Sequence, residues 1–213
     1  MKKVPFNDLT RIHEPIKSKV ITKFSKVVDR NSFVLNKEIG EFESLFSEFT
    51  NSKYTVSCSS GTDALELILR SLDIGENDEV ILPTNSFIAT ALAVTRCGAK
   101  PVFVDNDEYY LINTSEVEKK ITKKTKAIIA VNLYGQLADL KTLRKISDKN
   151  SIYLIEDSAQ SHGAANKTFS NTQSIAAAYS FYPGKNLGAW GDGGAVTTNN
   201  KALAEKIKAI RTY

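Results

Sequence analysis

Cysteine is scarce in this chain. Two thiols, Cys58 and Cys97, occur in 213 residues, each inside an apolar segment. That is too few for a disulfide framework or a thiolate metal site, and a reducing cytoplasmic setting fits best. With only His13 and His162, a histidine metal centre or a Ser-His-Asp triad has little to draw on. No stretch reaches the roughly 18 uninterrupted apolar residues of a membrane span, and Met1 to Leu9 carries no apolar run of signal-peptide length. No membrane association is expected. The net charge is only +4, and Lys119, Lys120, Lys123, Lys124 and Lys126 read as solvated helix faces, because no aromatic-basic alternation accompanies them. No nucleic-acid partner is expected. Repeats, low complexity and long linkers are also missing, and a 42% hydrophobic composition can bury one large core.

What is present is an alternation of strands and helices. Residues 1–50 form an N-terminal helical segment of two helices, with Leu35, Ile39, Phe42, Leu45, Phe46 and Phe49 at three- and four-residue steps along one apolar face. From there on, short apolar runs at Tyr54–Cys58, Glu79–Leu82, Pro101–Val104, Ala127–Val131, Ile152–Ile155, Ile175–Ala178 and Ala195–Thr197 read as strands. Thr62–Leu72, Ile88–Cys97, Leu140–Ser147 and Asn200–Ile210 read as helices, and Ser115 and Glu118 stand at capping-box spacing at the start of another. Continuous apolar strands separated by amphipathic helices imply an α/β fold whose parallel sheet is covered on both faces. Ligands of such sheets gather beyond the carboxyl ends of the strands.

The chemistry centres on Ser180 to Gly194, where Lys185 sits in a turn rich in glycine and aromatics. Pro183 fixes its own backbone and Gly184 has access to conformations closed to other residues. An ammonium buried beside aromatics is costly, and forming an imine with a carbonyl cofactor relieves that cost; the plain alternative is a surface lysine in a loop. Three partners lie elsewhere. Ser59-Ser60-Gly61-Thr62 runs into a helix, where free amides make an anion site suited to a phosphate, or else Ser60 or Thr62 is simply an N-cap. Asp157 closes a buried strand and needs a cationic partner such as a protonated pyridine nitrogen. Beside it, Glu156 reads as a turn residue and His162 as a hydrogen-bonded structural histidine. Phe87 ends another strand, where it either stacks on a flat ring or fills the core. A P-loop is excluded because Asn186 follows Gly184-Lys185, and a dinucleotide fingerprint because Gly188, Gly191, Gly193 and Gly194 lead into a strand.

Ser-Gly-Thr-Asp-Ala-Leu (60–65), Glu-Asp-Ser-Ala-Gln-Ser-His-Gly (156–163) and Ser-Phe-Tyr-Pro-Gly-Lys-Asn-Leu-Gly (180–188), in that order, resemble the DegT/DnrJ/EryC1/StrS family of nucleotide-sugar aminotransferases. The likeness runs from Val4-Pro5-Phe6 to the last residue and includes Leu133-Tyr134-Gly135-Gln136. It implies the aspartate-aminotransferase-like fold with a mostly parallel seven-stranded sheet, residues 51–213 being the large domain that binds pyridoxal phosphate (PLP). By matching position, Lys185 carries the cofactor as an imine and Asp157 pairs with the pyridine nitrogen. Gln160 approaches the ring hydroxyl, Phe87 stacks on the ring, and Gly61, Thr62 and Ser180 hold the phosphate. The implied reaction passes an amino group from glutamate to a keto-sugar nucleotide, with a lean to dTDP-3-keto-6-deoxyhexose over 4-keto sugars, for deoxyamino sugars of lipopolysaccharide O-antigen or related polysaccharides. Family members act as homodimers and continue past Tyr213 into a smaller C-terminal domain, absent here. The 213-residue chain alone is therefore expected to be weakly active or inactive, and a PLP-binding regulatory protein or an inactive remnant is the alternative.

Overall fold

The computed structural model describes residues 4–164 and 173–212. The chain divides into two compact units, Met1–Phe42 and Glu43–Tyr213. In the first, α1 (Thr10–His13) leads through a 3-10 turn (Glu14–Ile16) into α2 (Lys17–Asp29). Pro15 stands at the start of that turn, where a missing amide costs nothing. Next, α3 spans Lys37–Phe49, its residues from Glu43 onward belonging to the second unit. Leu35 does not join its apolar face. It precedes the helix with a φ of +47°, and the Asn36 side chain accepts the Ile39 amide at 3.2 Å, which places the helix start after Leu35. Of the apolar residues expected on that face only Phe46 is buried, whereas Leu45, next to it in sequence, is 66% exposed.

The second unit is built on one seven-stranded sheet of order β1-β7-β6-β5-β4-β2-β3. The strands are β1 (Tyr54–Cys58), β2 (Glu79–Pro83), β3 (Lys100–Val104), β4 (Thr125–Val131), β5 (Tyr153–Asp157), β6 (Ala176–Ser180) and β7 (Gly194–Thr198). The pairs from β3 across to β6 are parallel, as the alternating pattern implies, and β7 runs antiparallel to both β6 and β1. A parallel return needs a crossover, usually a helix. Residues 181–193, between β6 and β7, contain none, so the chain turns straight back. That loop carries Lys185.

Helices α4 (Gly61–Ser71), α5 (Ile88–Arg96), α6 (Thr114–Lys120), α7 (Leu140–Asn150) and α8 (Lys201–Thr212) complete the unit. Alternate strand residues face opposite ways, so Ile129 joins a core with Leu65, Ile68 and Ile207, while Ile128 joins another with Leu143 and Leu154. Both faces of the sheet are covered. The capping box expected at α6 does not form. Asn113 is the N-cap, its side chain accepting the Ser115 amide at 3.1 Å, and Glu118 bonds Lys149 on α7 instead. No helix among the described residues is long and apolar enough to cross a membrane.

Candidate active site

Strand register assembles the site. Val131, Asp157 and Ala178 are paired neighbours across β4, β5 and β6, and Ser180, Gly194 and Cys58 are paired across β6, β7 and β1. These rows lie at the carboxyl ends of the parallel strands, where chain direction leaves side chains and helix starts facing a common crevice. A cavity of about 540 Å³ opens there, lined among others by Gly61, Thr62, Phe87, Asp157, Gln160 and Lys185. Ser180 lines it as well, so all seven residues singled out from the sequence border one space.

The anion end is made by close approach. Ser60 caps α4, accepting the Asp63 amide at 3.1 Å, and the Ala64 amide bonds the Ser60 carbonyl. The amides of Gly61 and Thr62 therefore precede the first helical hydrogen bond, as at any helix start. A side chain on Gly61 would put its Cβ 2.7 Å from Ser180 Cβ, and one on Gly194 would lie 2.2 Å from the Ser60 carbonyl oxygen. Only two glycines allow the helix start to sit against the end of β6. Together the capped turn, the unused amides and the Ser180 hydroxyl form a concave donor set for an anion.

Lys185 is half-buried in a loop closed on itself. Its amide donates to the Tyr182 carbonyl at 2.8 Å, and the Ala189 amide to Phe181 at 2.8 Å. The glycine this loop depends on is Gly188, whose Cβ would lie 2.3 Å from the Pro183 carbonyl oxygen. Gly184, expected to supply unusual backbone geometry, is not among the positive-φ glycines.

Asp157 is buried at 7% exposure. Its Oδ2 accepts from Thr90 Oγ1 at 2.7 Å and its Oδ1 from the Ala159 amide at 3.2 Å. Burial pushes its pKa up, while those two bonds and the Lys185 charge pull it back. A carboxyl held this way is a strong acceptor with no ion-paired cation among the described residues, and a protonated heterocycle in the cavity would supply one. The residues present thus fit a phosphorylated pyridine cofactor at both ends.

Glu156 is not a turn residue. It is the fourth residue of β5 and points to the other face, 4% exposed. Burial raises its pKa too, against bonds from Ser174 Oγ at 2.6 Å and Asn132 Nδ2 at 2.9 Å. Asn132 also donates to Ser158 Oγ and accepts the Ala138 amide, which ties down the segment holding Tyr134. Tyr134, at a φ of +57°, aims its amide at Gln160 Oε1, 2.8 Å away. An amide N–H can only donate, so the carbonyl end of Gln160 is engaged and its NH2 is left for the cavity.

His162 behaves as a packing residue. Its ring lies 5.5 Å from that of Tyr179 and 5.6 Å from that of Phe181, and neither ring nitrogen makes a well-formed hydrogen bond, contrary to expectation. Burial lowers its pKa; the Lys185 charge acts the same way and the Ser180 backbone opposes it. Phe87, at 69% exposure, is a cavity-rim residue and not core. Burial pushes the Cys58 thiol up to about 12 and the Cys97 thiol up to about 11, so neither is a ready nucleophile. Sequence reasoning missed Thr90 and Asn132. Thr90 left one signal, its four-residue spacing from Ser86 at a helix start.

Comparison with known proteins gives the family and the fold. The model of the DegT/DnrJ/EryC1/StrS aminotransferase family matches residues 14–213. The dTDP-3-amino-3,4,6-trideoxy-alpha-D-glucose transaminase of Streptomyces venezuelae is 41% identical over 99% of this chain and 56% of its own length. The crystal structure of S. venezuelae DesV in complex with a ketimine intermediate superposes with a TM-score of 0.93 at 39% identity, over 100% of this chain and 58% of that one. The structure of NtdA from Bacillus subtilis with bound cofactor PMP gives a TM-score of 0.92 at 32% identity, over 97% and 47%. The chain therefore spans about half the length of the proteins it matches. On the family match and these identities, the chain belongs to the DegT/DnrJ/EryC1/StrS aminotransferase family.

Proposed function

We propose that this chain is the cofactor-binding large domain of a PLP-dependent aminotransferase that moves an amino group from glutamate to a keto-sugar nucleotide. The observation carrying this is one cavity bordered by an amine, a buried acid and a concave set of anion donors. When bound, PLP supplies an electron-accepting ring that stabilises the carbanion left when a proton departs the amino-bearing carbon. Gly61, Thr62 and Ser180 would hold the phosphate, and Phe87 at the rim would stack on the ring. Asp157 would keep the ring nitrogen protonated, and the Gln160 NH2 would donate to the ring oxygen. Lys185 Nζ would hold the cofactor through its carbonyl carbon, and the same nitrogen, when free, would carry a proton between the donor carbon and the cofactor side, as a base held on a closed loop can.

The substrate reading is dTDP-3-keto-6-deoxyhexose, supported by the 3-amino product in the S. venezuelae relative's name, in deoxyamino-sugar synthesis for lipopolysaccharide O-antigen or a related polysaccharide in the cytoplasm. A homodimer of the full-length protein is supported by large apolar side chains left exposed, among them Phe87 and Tyr182 on the cavity rim and Ile88 and Leu187 near them in sequence. The test is transfer from glutamate to dTDP-3-keto-6-deoxyhexose by a protein of the relatives' full length, followed by release of 2-oxoglutarate. Transfer that depends on Lys185 is expected. Tight PLP binding without transfer to any keto-sugar nucleotide would favour a regulatory protein and overturn the proposal.

A further inference from the structure

Thr90 and Ser86 form a hydrogen-bond relay behind Asp157. Thr90 is wholly buried, Thr90 Oγ1 bonds Asp157 Oδ2, and Ser86 Oγ, on the cavity wall, lies 2.6 Å from Thr90 Oγ1. Distance alone leaves the donor between the two hydroxyls open. Proton counting closes it. Facing a protonated ring nitrogen the carboxylate is ionised and can only accept, so the single hydrogen of Thr90 goes to Asp157, and Ser86 donates to Thr90. The two hydroxyls are four residues apart at the start of α5 with Phe87 between them, so one helical turn both presents the ring at the cavity rim and orders the acid beneath it.

We infer that Thr90, itself ordered by Ser86, is a positioning residue for Asp157, holding its carboxylate as an oriented acceptor for the protonated ring nitrogen of the cofactor. This rests on the reading that Asp157 faces that nitrogen. Of the influences that support the ionised acid against burial, the Thr90 bond is the largest, followed by the Ala159 amide and then Lys185. Among the described residues Lys185 is the one charge that acts on Asp157, and Asp192, the other acid lining the cavity, is not among the influences. Glu156 points to the opposite sheet face and is bonded there to Ser174 and Asn132. Val131 on β4 and Asn132 just after it, both beside Asp157, are uncharged, and the first turn of α5 holds no acidic residue.

The test compares Thr90→Val, Thr90→Ser, Ser86→Ala and Asp157→Asn in the 213-residue chain. Cofactor-free protein carrying carbonyl-labelled aspartate is titrated by carbon NMR, the Asp157 signal being the one lost in Asp157→Asn. Valine fills nearly the same volume without the hydrogen, and the Asp157 midpoint is expected to rise by about one to two pH units, the loss of one bond to a charged group. Thr90→Ser should restore most of it, a rescue that a purely structural role for the side chain would not give. Ser86→Ala should move the midpoint less and in the same direction. Near-UV circular dichroism checks folding, and if the valine variant unfolds, the Ser86→Ala and Thr90→Ser midpoints decide. PLP binding is then followed by absorbance, and weaker binding is expected in both Thr90→Val and Asp157→Asn. An unmoved midpoint would refute the role of Thr90 while weakened binding in Asp157→Asn left the assignment of the acid standing. A moved midpoint with unchanged PLP binding in both variants would refute that assignment and the positioning role with it.

Discussion

Gly194→Ala is the sharpest perturbation of the site that leaves every proposed functional side chain in place. The new Cβ would sit 2.2 Å from the Ser60 carbonyl oxygen, 2.3 Å from its carbon and 2.9 Å from the Gly61 nitrogen, where ordinary contact begins near 3.4 Å. All three are backbone atoms, so no rotamer change gives relief. Gly194 is held in β7 between β1 and β6, so the strain falls on the turn leading into α4, which must retreat by about 1 Å. Overpacking of this kind costs about 1–3 kcal/mol, or a fall in Tm of roughly 2–12 °C for a chain of this size. Phosphate affinity should suffer more than stability. The Gly61 and Thr62 amides would withdraw from Ser180 by about 1 Å, a misplacement worth up to about a hundredfold in a preorganised site. Thermal melting with a PLP titration measures both, and Gly191→Ala is the control, since nothing lies within 4 Å of a Cβ there. If Gly194→Ala matched Gly191→Ala in Tm and PLP affinity, the close-approach argument for the anion cradle would fail.

The remaining expectations concern buried polar groups and the lysine. Burial raises Asp157 and Glu156 above their ordinary values of 3.8 and 4.5; the folded chain keeps these protons longer than the unfolded one. Their contribution to stability is therefore greatest at acid pH and declines as pH rises through the ordinary values towards the folded ones. Melts of cofactor-free protein should show the decline flattened in Asp157→Asn, and an identical profile would remove Asp157 as its source. Asn132→Ala strips a bond from buried Glu156, another from Ser158 and the acceptor of the Ala138 amide. A loss of roughly 2–4 kcal/mol is expected, and a denaturant midpoint within error of wild type would contradict it. Lys185→Ala should melt like the parent, because its side chain is half-buried in a loop held by backbone bonds, yet lose the visible absorbance that PLP acquires on binding. A retained band would place the cofactor elsewhere.

Much of the architecture was legible because the physics is local. Fully buried strands such as Ala127–Val131 read as apolar runs, whereas the antiparallel return of β7 after Ser180 was not among the expectations. The motifs around Gly61, Asp157 and Lys185 were legible for the same reason, each being a short segment whose residue types suit one task. What escaped depends on partners far apart in the chain. Glu156 and Asp157 look alike as adjacent acids at a strand end, and only the pleat sends one to the cavity and the other to Asn132 and Ser174, 24 and 18 residues away. Thr90 meets Asp157 across 67 residues. The box at Ser115 failed because Asn113, two residues earlier, accepts the same amide more directly.

The central claim is that one particular amine among the many lysines of this chain bonds the cofactor. Incubating the protein with PLP, reducing with borohydride to lock any lysine–cofactor bond, and mapping the modified peptide by mass spectrometry tests it most directly. A single modification at Lys185, diminished in Gly194→Ala, is the expected result. Label spread over the surface lysines, or concentrated on any residue other than Lys185, would contradict it.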